Sequence, residues 1–332
     1  MKRKRSLWLL ALVPLVALIW AMKSAASWRP QLLIIQSNAD YPFSIQDGRL
    51  LLVESVNNIS GFATWDMNTG QLLWKRDKRS KWIAYSSQNH IIAVVRSEVP
   101  LPMELTNLHG VNLELCDERD GHVIRALQPG SDSSEGRLLA YDFSTDETEF
   151  RVVTSESLQR WNIATGRLIV NHKWPRAKGS AHITTAAFFR GDEKILGIVG
   201  GKVTILDARN GTTIRVLPLN YKSAPYTNSP NFFTVSPDDY SFYESLDSTD
   251  SSRIFRISDG KQLWQSNDWP TFSFDGQISY IPSPNGLDVF EAHTGRLLRH
   301  LPGPSTYGFD PSADGNWLYE ARDGKIYRWR AR

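Results

Sequence analysis

The sequence predicts an all-β fold, a seven-bladed β-propeller of four-stranded antiparallel blades that is closed by an N-terminal strand and preceded by an N-terminal transmembrane helix. Three observations predict it: a strand–turn–strand pattern that recurs along the chain, a last repeat that lacks its final strand, and a charge-free segment behind an N-terminal basic cluster. The predicted domains are a signal anchor or signal peptide over residues 1–26 and the propeller over residues 31–332.

The N-terminal segment has the features of a membrane signal. KRKR at 2–5 precedes the uncharged residues 6–22. As a helix these residues would measure roughly 26 Å, a length that fits either a short membrane span or a long signal-peptide core. Lys23, directly before the small residues that cleavage would require, and tryptophans near both ends favour a retained anchor over a cleaved signal. The basic cluster predicts a cytoplasmic N-terminus and an exported propeller, which would be secreted if the signal were cleaved.

Charge and cysteine content exclude several classes of protein. The chain carries a formal net charge of +3, but five of its 38 basic residues and no acidic residue lie in residues 1–26, which leaves 33 basic against 35 acidic residues in the rest. A nearly neutral folded part lacks the positive field on which nucleic-acid binding depends. Cys116 is the only cysteine, so neither an intrachain disulfide nor a cysteine-rich zinc site can form.

The repeat consists of a strand that ends in an apolar anchor residue, a turn that ends in glycine five residues later, and a second strand. Its six full copies have these anchors and glycines: Trp65 and Gly70, Cys116 and Gly121, Trp161 and Gly166, Leu206 and Gly211, Phe255 and Gly260, Phe290 and Gly295. A seventh anchor, Trp329, lies close to the C-terminus. Successive anchors are 35 to 51 residues apart, which is the size of a four-stranded blade. The glycine supplies the positive φ that a tight hairpin requires.

A second turn precedes each of these hairpins, so that every repeat has four strands, a to d. Aspartates recur in this a–b turn, namely Asp47, Asp192, Asp238, Asp275 and Asp314. Because one role repeated in every blade is seldom an active site, we predict that these carboxylates bind the local backbone and stabilise the turns.

The repeats resemble those of WD-repeat propellers. SPDD and SADG stand where that family carries Ser-Pro-Asp-Gly, and Trp65 with Asp66 matches its Trp-Asp pair. TGQLLWK and DGKQLW also resemble the repeat of quinoprotein-type propellers. The resemblance covers residues 31–332 and implies a propeller superfamily without a specific member.

The two ends of the chain are predicted to complete one blade. The last repeat supplies three strands and then ends, whereas PQLLIIQS at residues 30–37 has the pattern of the outer strands QLLWKRD and RLIVNHK. We therefore expect residues 31–36 to pair with the C-terminal strand, which would remove two exposed sheet edges.

Long connections are predicted to lie on one face of the ring, since the d–a and b–c connections share one side and the a–b and c–d turns share the other. The long connections cover residues 76–81, 98–110, 129–136, 173–181 and 220–230. The candidate partner-binding residues in them are Trp174, Arg176, Lys178, Tyr221, Lys222 and Tyr226. Their aromatic and basic character favours a protein or peptide partner of acidic character. The alternative is that the aromatics pack between blades and the charges form a solvated rim.

No catalytic constellation is evident, and we predict neither a cofactor nor a metal. The seven histidines are scattered over several blades, and GIVGGK at 197–202 lacks the spacing and the hydroxyl residue of a phosphate-binding loop. The predicted function is that of a non-catalytic, membrane-tethered interaction or scaffold module on the exported side. The alternative is a lyase, a hydrolase or an enzyme like the quinone-dependent dehydrogenases, which would cluster charged residues on the inner a strands.

Overall fold

The structure is a computed structural model, and its description covers the strands of the propeller and most of the short turns. The described residues are 31–35, 39–45, 49–56, 59–66, 69–76, 80–86, 88–97, 111–127, 138–174, 183–191, 193–220, 233–246, 251–303, 309–312, 315–322 and 325–330. The strands β1 to β28 that they form are arranged in seven antiparallel sheets of four strands each.

Six of the sheets are blades made of four consecutive strands, with the first strand innermost and the fourth outermost. Blade 1 contains β2 (Ala39–Ile45), β3 (Arg49–Val56), β4 (Ile59–Asp66) and β5 (Leu72–Arg76). Blade 2 contains β6 (Ser80–Ser86), β7 (Ile91–Ser97), β8 (Val111–Asp117) and β9 (Val123–Leu127). Blade 3 contains β10 (Leu138–Phe143), β11 (Glu149–Thr154), β12 (Ser157–Asn162) and β13 (Leu168–Lys173).

The other three continuous blades follow in the same order. Blade 4 contains β14 (Ile183–Phe188), β15 (Lys194–Val199), β16 (Lys202–Asp207) and β17 (Thr213–Asn220). Blade 5 contains β18 (Phe233–Val235), β19 (Ser241–Leu246), β20 (Ser251–Arg256) and β21 (Gln262–Ser266). Blade 6 contains β22 (Thr271–Phe272), β23 (Ile278–Ser283), β24 (Gly286–Glu291) and β25 (Leu297–Pro302).

The seventh sheet is assembled from both ends of the chain. β26 (Phe309–Pro311), β27 (Trp317–Arg322) and β28 (Lys325–Arg330) form its inner three strands, and β1 (Gln31–Ile35) is its outermost strand. β1 runs antiparallel to β28, with Gln31 opposite Arg328 and Ile35 opposite Lys325. The expected pairing of the N-terminal strand with the C-terminal strand is therefore present. Six blades are complete in sequence, and closure of the ring depends on this composite sheet.

The predicted fold class requires a correction, because it joined the propeller to an N-terminal transmembrane helix. The residues that the structure describes form strands, turns and bends, without any helix. Among the same residues there is no helix long and apolar enough to cross a bilayer. The fold described is all-β, and residues 1–26, to which the helix was assigned, lie outside the described residues.

The hydrophobic core lies between the blades. Each blade is a sheet with two apolar faces, and each face packs against the adjacent blade, so that the clusters of buried residues draw on two blades at a time. Trp161 is fully buried where blade 3 meets blade 2. Between blades 3 and 4, the Arg151 guanidinium, only 1% exposed, lies 2.9 Å from the Glu193 carboxylate. A continuous series of such contacts makes the ring one folding unit.

The glycine of the c–d turn also lies directly beneath a side chain of the neighbouring blade. The Trp74 indole of blade 1 covers Gly121 of blade 2, and its Nε1 donates a hydrogen bond of 2.7 Å to the Glu118 carbonyl. Trp264 of blade 5 covers Gly295 of blade 6 in the same way, with a hydrogen bond of 2.8 Å to the Ala292 carbonyl. The glycine is thus required for two reasons, its positive φ and its missing side chain.

The closing pair β1–β28 can be tested by two truncations. Removal of residues 1–26 leaves β1 in place and should leave the thermal stability of the propeller unchanged. Removal of residues 1–36 exposes the edge of β28 and should lower the melting temperature and promote aggregation. Equal melting temperatures of the two truncated proteins, measured by circular dichroism, would show that β1 does not close the ring.

The contact between Trp74 and Gly121 can be tested with a matched pair of substitutions. Gly200 and Gly121 both have positive φ, of 57° and 72°, but only Gly121 is covered, since an added Cβ would lie 2.6 Å from Trp74. Gly200→Ala should cost about 1–2 kcal/mol for the left-handed backbone. Gly121→Ala should cost a further 1–3 kcal/mol or so because the indole must move. Denaturant unfolding measures the loss of unfolding free energy in both variants. Equal losses would contradict close packing of the Trp74 indole on Gly121.

Candidate functional site

Of the six candidate partner-binding residues, the structure describes Trp174. Its side chain is only 7% exposed, its Nε1 donates a hydrogen bond of 3.0 Å to the Thr154 carbonyl, and its ring packs edge-on against His172. The indole also covers Gly211 of the next blade. Trp174 therefore has the packing role that the alternative interpretation gave to the aromatics. The other five residues lie outside the described residues, and the proposed partner site stays a prediction.

Trp269 is the most exposed aromatic residue among those described, with 52% of its surface accessible. It lies in the connection between β21 and β22, on the face of the long connections. The Ser266 hydroxyl accepts a hydrogen bond of 3.1 Å from the Asp268 N–H, and the Asp268 carboxylate accepts one of 2.7 Å from the Trp269 N–H. Pro270, which follows directly, is buried, so the backbone that carries the exposed indole is constrained on both sides.

A second cluster lies at the end of the central channel where the a–b turns are. The Arg190 guanidinium of blade 4 stacks 3.7 Å from the centroid of the Phe274 ring of blade 6. Three carboxylates act electrostatically on this guanidinium, those of Asp142 in blade 3, Asp239 in blade 5 and Asp310 in the closing sheet. Residues from five sheets meet here because the inner strands converge on the axis of the ring. We call this cluster the channel mouth.

Asp142 has an unusual environment for a carboxylate. It lies near the end of the inner strand β10, and burial raises the pKa of its side chain to about 6, although Arg151 and Arg190 oppose this increase. One of its oxygens accepts a hydrogen bond of 2.8 Å from the Phe143 N–H. Ionised at neutral pH, the carboxylate costs folding free energy. Ionisable groups kept in the fold at such a cost are candidates for a function.

The a–b turns around the channel mouth are fixed by two kinds of carboxylate contact. Asp238 and Asp275 each accept a hydrogen bond from the serine two residues before them and from the N–H two residues after them, which confirms the predicted structural role for these two aspartates. In addition, the Asp239 carboxylate accepts hydrogen bonds of 3.0 and 3.1 Å from the N–H groups of Arg190 and Gly191 in the preceding blade. The turn that carries Arg190 is thereby held in place.

The same contact recurs between blades 2 and 3. The Glu147 carboxylate accepts hydrogen bonds of 2.9 and 3.2 Å from the N–H groups of Gln88 and Asn89, and one from the Ser86 hydroxyl. Glu147 and Asp239 are also alike in their backbone conformation, with positive φ near 51° and 56°.

The described residues offer little to a metal ion. Within them, no three His, Cys, Asp or Glu side chains converge in a way that could hold one. The histidine–carboxylate pairs are local or join adjacent blades, as in His293 Nε2, which lies 2.7 Å from Asp238, and His300 Nδ1, which lies 2.7 Å from Asp288.

Comparisons with known proteins agree with the architecture. No protein-family model matches the chain, and no curated protein matches it either. Among solved structures, the chain is similar to the crystal structure of the β-propeller domain of Cps50 (Swd1) from Myceliophteria thermophila, with a TM-score of 0.62 over 92% of this chain and 100% of that chain. The fold is a WD-repeat-like β-propeller. At 14% sequence identity the likeness shows the fold alone.

Asp142 provides a pH-dependent test of the channel mouth. Its pKa is raised on folding, so the penalty is absent at low pH and grows as pH rises from about 4 to about 6. Asp142→Asn should therefore stabilise the protein above about pH 7 and change its stability little below about pH 4.

Asp146 is the matched control, since hydrogen bonding from Ser144 lowers its pKa. Asp146→Asn should show the opposite dependence, a loss of stability at neutral pH that diminishes as the wild-type carboxylate is protonated in acid. Thermal unfolding across pH measures both variants. An Asp142→Asn protein with the same pH dependence as the wild type would contradict a buried, ionisable Asp142.

Proposed function

We propose that this propeller is a non-catalytic protein-interaction module that acts as a scaffold. The observation that carries the proposal is Trp269, an indole more than half exposed on the face of the long connections and held there by its own turn. Tryptophan is one of the residue types enriched among those that contribute most to binding at protein interfaces, and a constrained backbone reduces the entropy lost on binding. The similar solved structure supports the fold that presents this face.

The partner proposed for this face is an acidic protein or peptide. The long connections carry Arg176, Lys178 and Lys222 in sequence, together with Tyr221 and Tyr226. Basic and aromatic residues in the sequence of these connections favour a ligand with carboxylates and apolar groups.

We further propose that the module works at a membrane, on the exported side. The support is in the sequence, where the basic cluster KRKR precedes the uncharged residues 6–22, which would attach the chain to the bilayer. The chain enters the ring at Gln31, at the end of β1 that lies with the c–d turns. The long-connection face would then point away from the bilayer and towards the partner.

A second candidate function is suggested by the channel mouth. A carboxyl group whose pKa burial raises to about 6, next to a guanidinium, could exchange protons near neutral pH, as a hydrolase or lyase of this fold would require. The charged residues Asp142 and Asp310 lie on inner strands, where the sequence predicted mainly apolar and hydroxyl residues. The Asp142→Asn variant serves here too, because an enzyme would lose turnover while it gained stability.

The interaction function is tested by two substitutions of exposed aromatics on opposite faces. Trp269→Ala should abolish recovery of the partner when the full chain is purified from solubilised membranes after crosslinking, with a loss of about 2 kcal/mol or more in binding. Phe274→Ala, at the channel mouth, should leave that recovery unchanged. The melting temperature of each variant checks that the fold is intact. Loss of the partner by Phe274→Ala alone would place the interface on the turn face instead.

A further inference from the structure

An aliphatic residue recurs at one position of the outer strand in all six continuous blades. It lies three residues after the glycine of the c–d turn, and it is always leucine or isoleucine. The six rim residues are Leu73, Ile124, Ile169, Ile214, Leu263 and Leu298. Five of them are among the exposed large hydrophobic residues, at 39 to 51% exposure, and Leu263 is partly buried.

The backbone explains why this position is set apart. In every one of these blades the register between the third and fourth strands shifts there, so that the rim residue is the extra residue of a β-bulge. In blade 1, for example, Thr64 pairs with Trp74 and Trp65 pairs with Leu72, which leaves Leu73 without an opposite residue. A bulge protects an edge strand from pairing with another chain. That role needs no aliphatic side chain, so the exposure of one in five of the six blades requires another explanation.

Cations accompany the rim residues. The outer strands β5, β9, β13, β17, β21 and β25 contain no aspartate or glutamate. Within two residues of each rim residue there is an exposed lysine or arginine. These six cations are Lys75, Arg125, Arg167, Arg215, Lys261 and Arg296.

We call the rim residues and these six cations the belt. Acidic residues also lie on this face of the ring, in the c–d turns beside the belt and in the a–b turns nearer the axis. Several of them are already paired with arginines of their own turn or strand, as Asp117 is with Arg119 at 2.6 Å and Asp207 is with Arg209 at 3.1 Å. Glu291 does contact one cation of the belt, Arg296, at 3.4 Å. The belt as a whole combines apolar side chains with positive charge.

The belt also lies where the chain enters the ring. Equivalent positions of blades arranged about one axis lie at one height, so the rim residues form a flat circle near the c–d turns. Gln31 begins β1 opposite Arg328, towards the same side of the closing sheet. Eight residues separate Met22 from Gln31, and they span at most about 30 Å.

We propose that the rim residues and their flanking cations rest on the surface of an anionic phospholipid bilayer. Aliphatic side chains interspersed with lysine and arginine are the chemistry of interfacial membrane binding. A protein partner would contact one arc of the circle, whereas a bilayer is flat and contacts all of it. The proposal rests on the proposed membrane attachment through residues 6–22, and it adds a second contact that fixes the orientation of the ring.

The experiment uses the full chain bound to phosphatidylcholine vesicles with and without phosphatidylglycerol. Ile169→Cys and Ile124→Cys carry an environment-sensitive fluorophore at the rim, in adjacent blades, and Lys202→Cys carries it at an exposed site on the opposite face. The native Cys116 does not interfere, because it is fully buried and burial raises the pKa of its thiol to about 11.

Both rim labels are expected to shift to shorter emission wavelengths and to be quenched by nitroxide lipids in anionic vesicles. Both effects should be weaker at high salt, while the label at residue 202 stays in water.

Rim labels that remain in water on vesicle-bound protein overturn the proposal and leave the attachment through residues 6–22 standing. The same shift in detergent without lipid, or in one blade alone, indicates a second copy or a protein partner and overturns it too. A chain that fails to sediment with vesicles removes both the attachment and the rim contact, while the Trp269→Ala result still decides the interaction function independently.

Discussion

Closure of the ring is the constraint on which the rest of this structure depends. Among the described residues, the core clusters lie between two sheets, so each blade depends on its neighbours to bury its apolar faces. The chain meets this requirement by pairing β1, its first described strand, with β28, its last. The closing sheet in turn packs on blade 6 through Leu318 and Trp329 against Val289 and Leu301. The short β1–β28 pair therefore helps to maintain the contacts between neighbouring sheets around the whole ring.

The sequence allowed the repeat to be predicted because the c–d turn is a local structure. The anchor residue, the glycine five residues later and the alternating strands are fixed by hairpin geometry, and the glycines have the expected positive φ, as in Gly70 and Gly166. The channel mouth could not be predicted in this way. Arg190 and Phe274 share no motif and meet only because two inner strands converge on one axis. Nothing in the spacing of the chain indicates which turn residues will stack.

Trp174 and Trp269 show a related limit. Both are tryptophans in d–a connections, and the sequence singled out the first for binding. Trp174 instead finds a carbonyl of its own blade and a glycine of the next, whereas Trp269 is followed by a buried proline and stays in solvent. Whether an aromatic residue is buried or exposed depends on the residues of the adjacent blade. The sequence of one repeat therefore does not determine it. The transmembrane helix was predicted from the length and charge of an N-terminal segment alone. The residues that the structure describes contain no helix.

The position of β1 has a mechanical consequence. Any pull on the chain from its N-terminal side acts on Gln31, and the first hydrogen bonds to bear the load are those between β1 and β28. Because β1 is the outermost strand, it can separate without disturbing the inner strands of its own sheet. The closing sheet would then keep its three inner strands, and the edge of β28 would become exposed. The strand that completes the propeller is thus also the element at which force would first undo it.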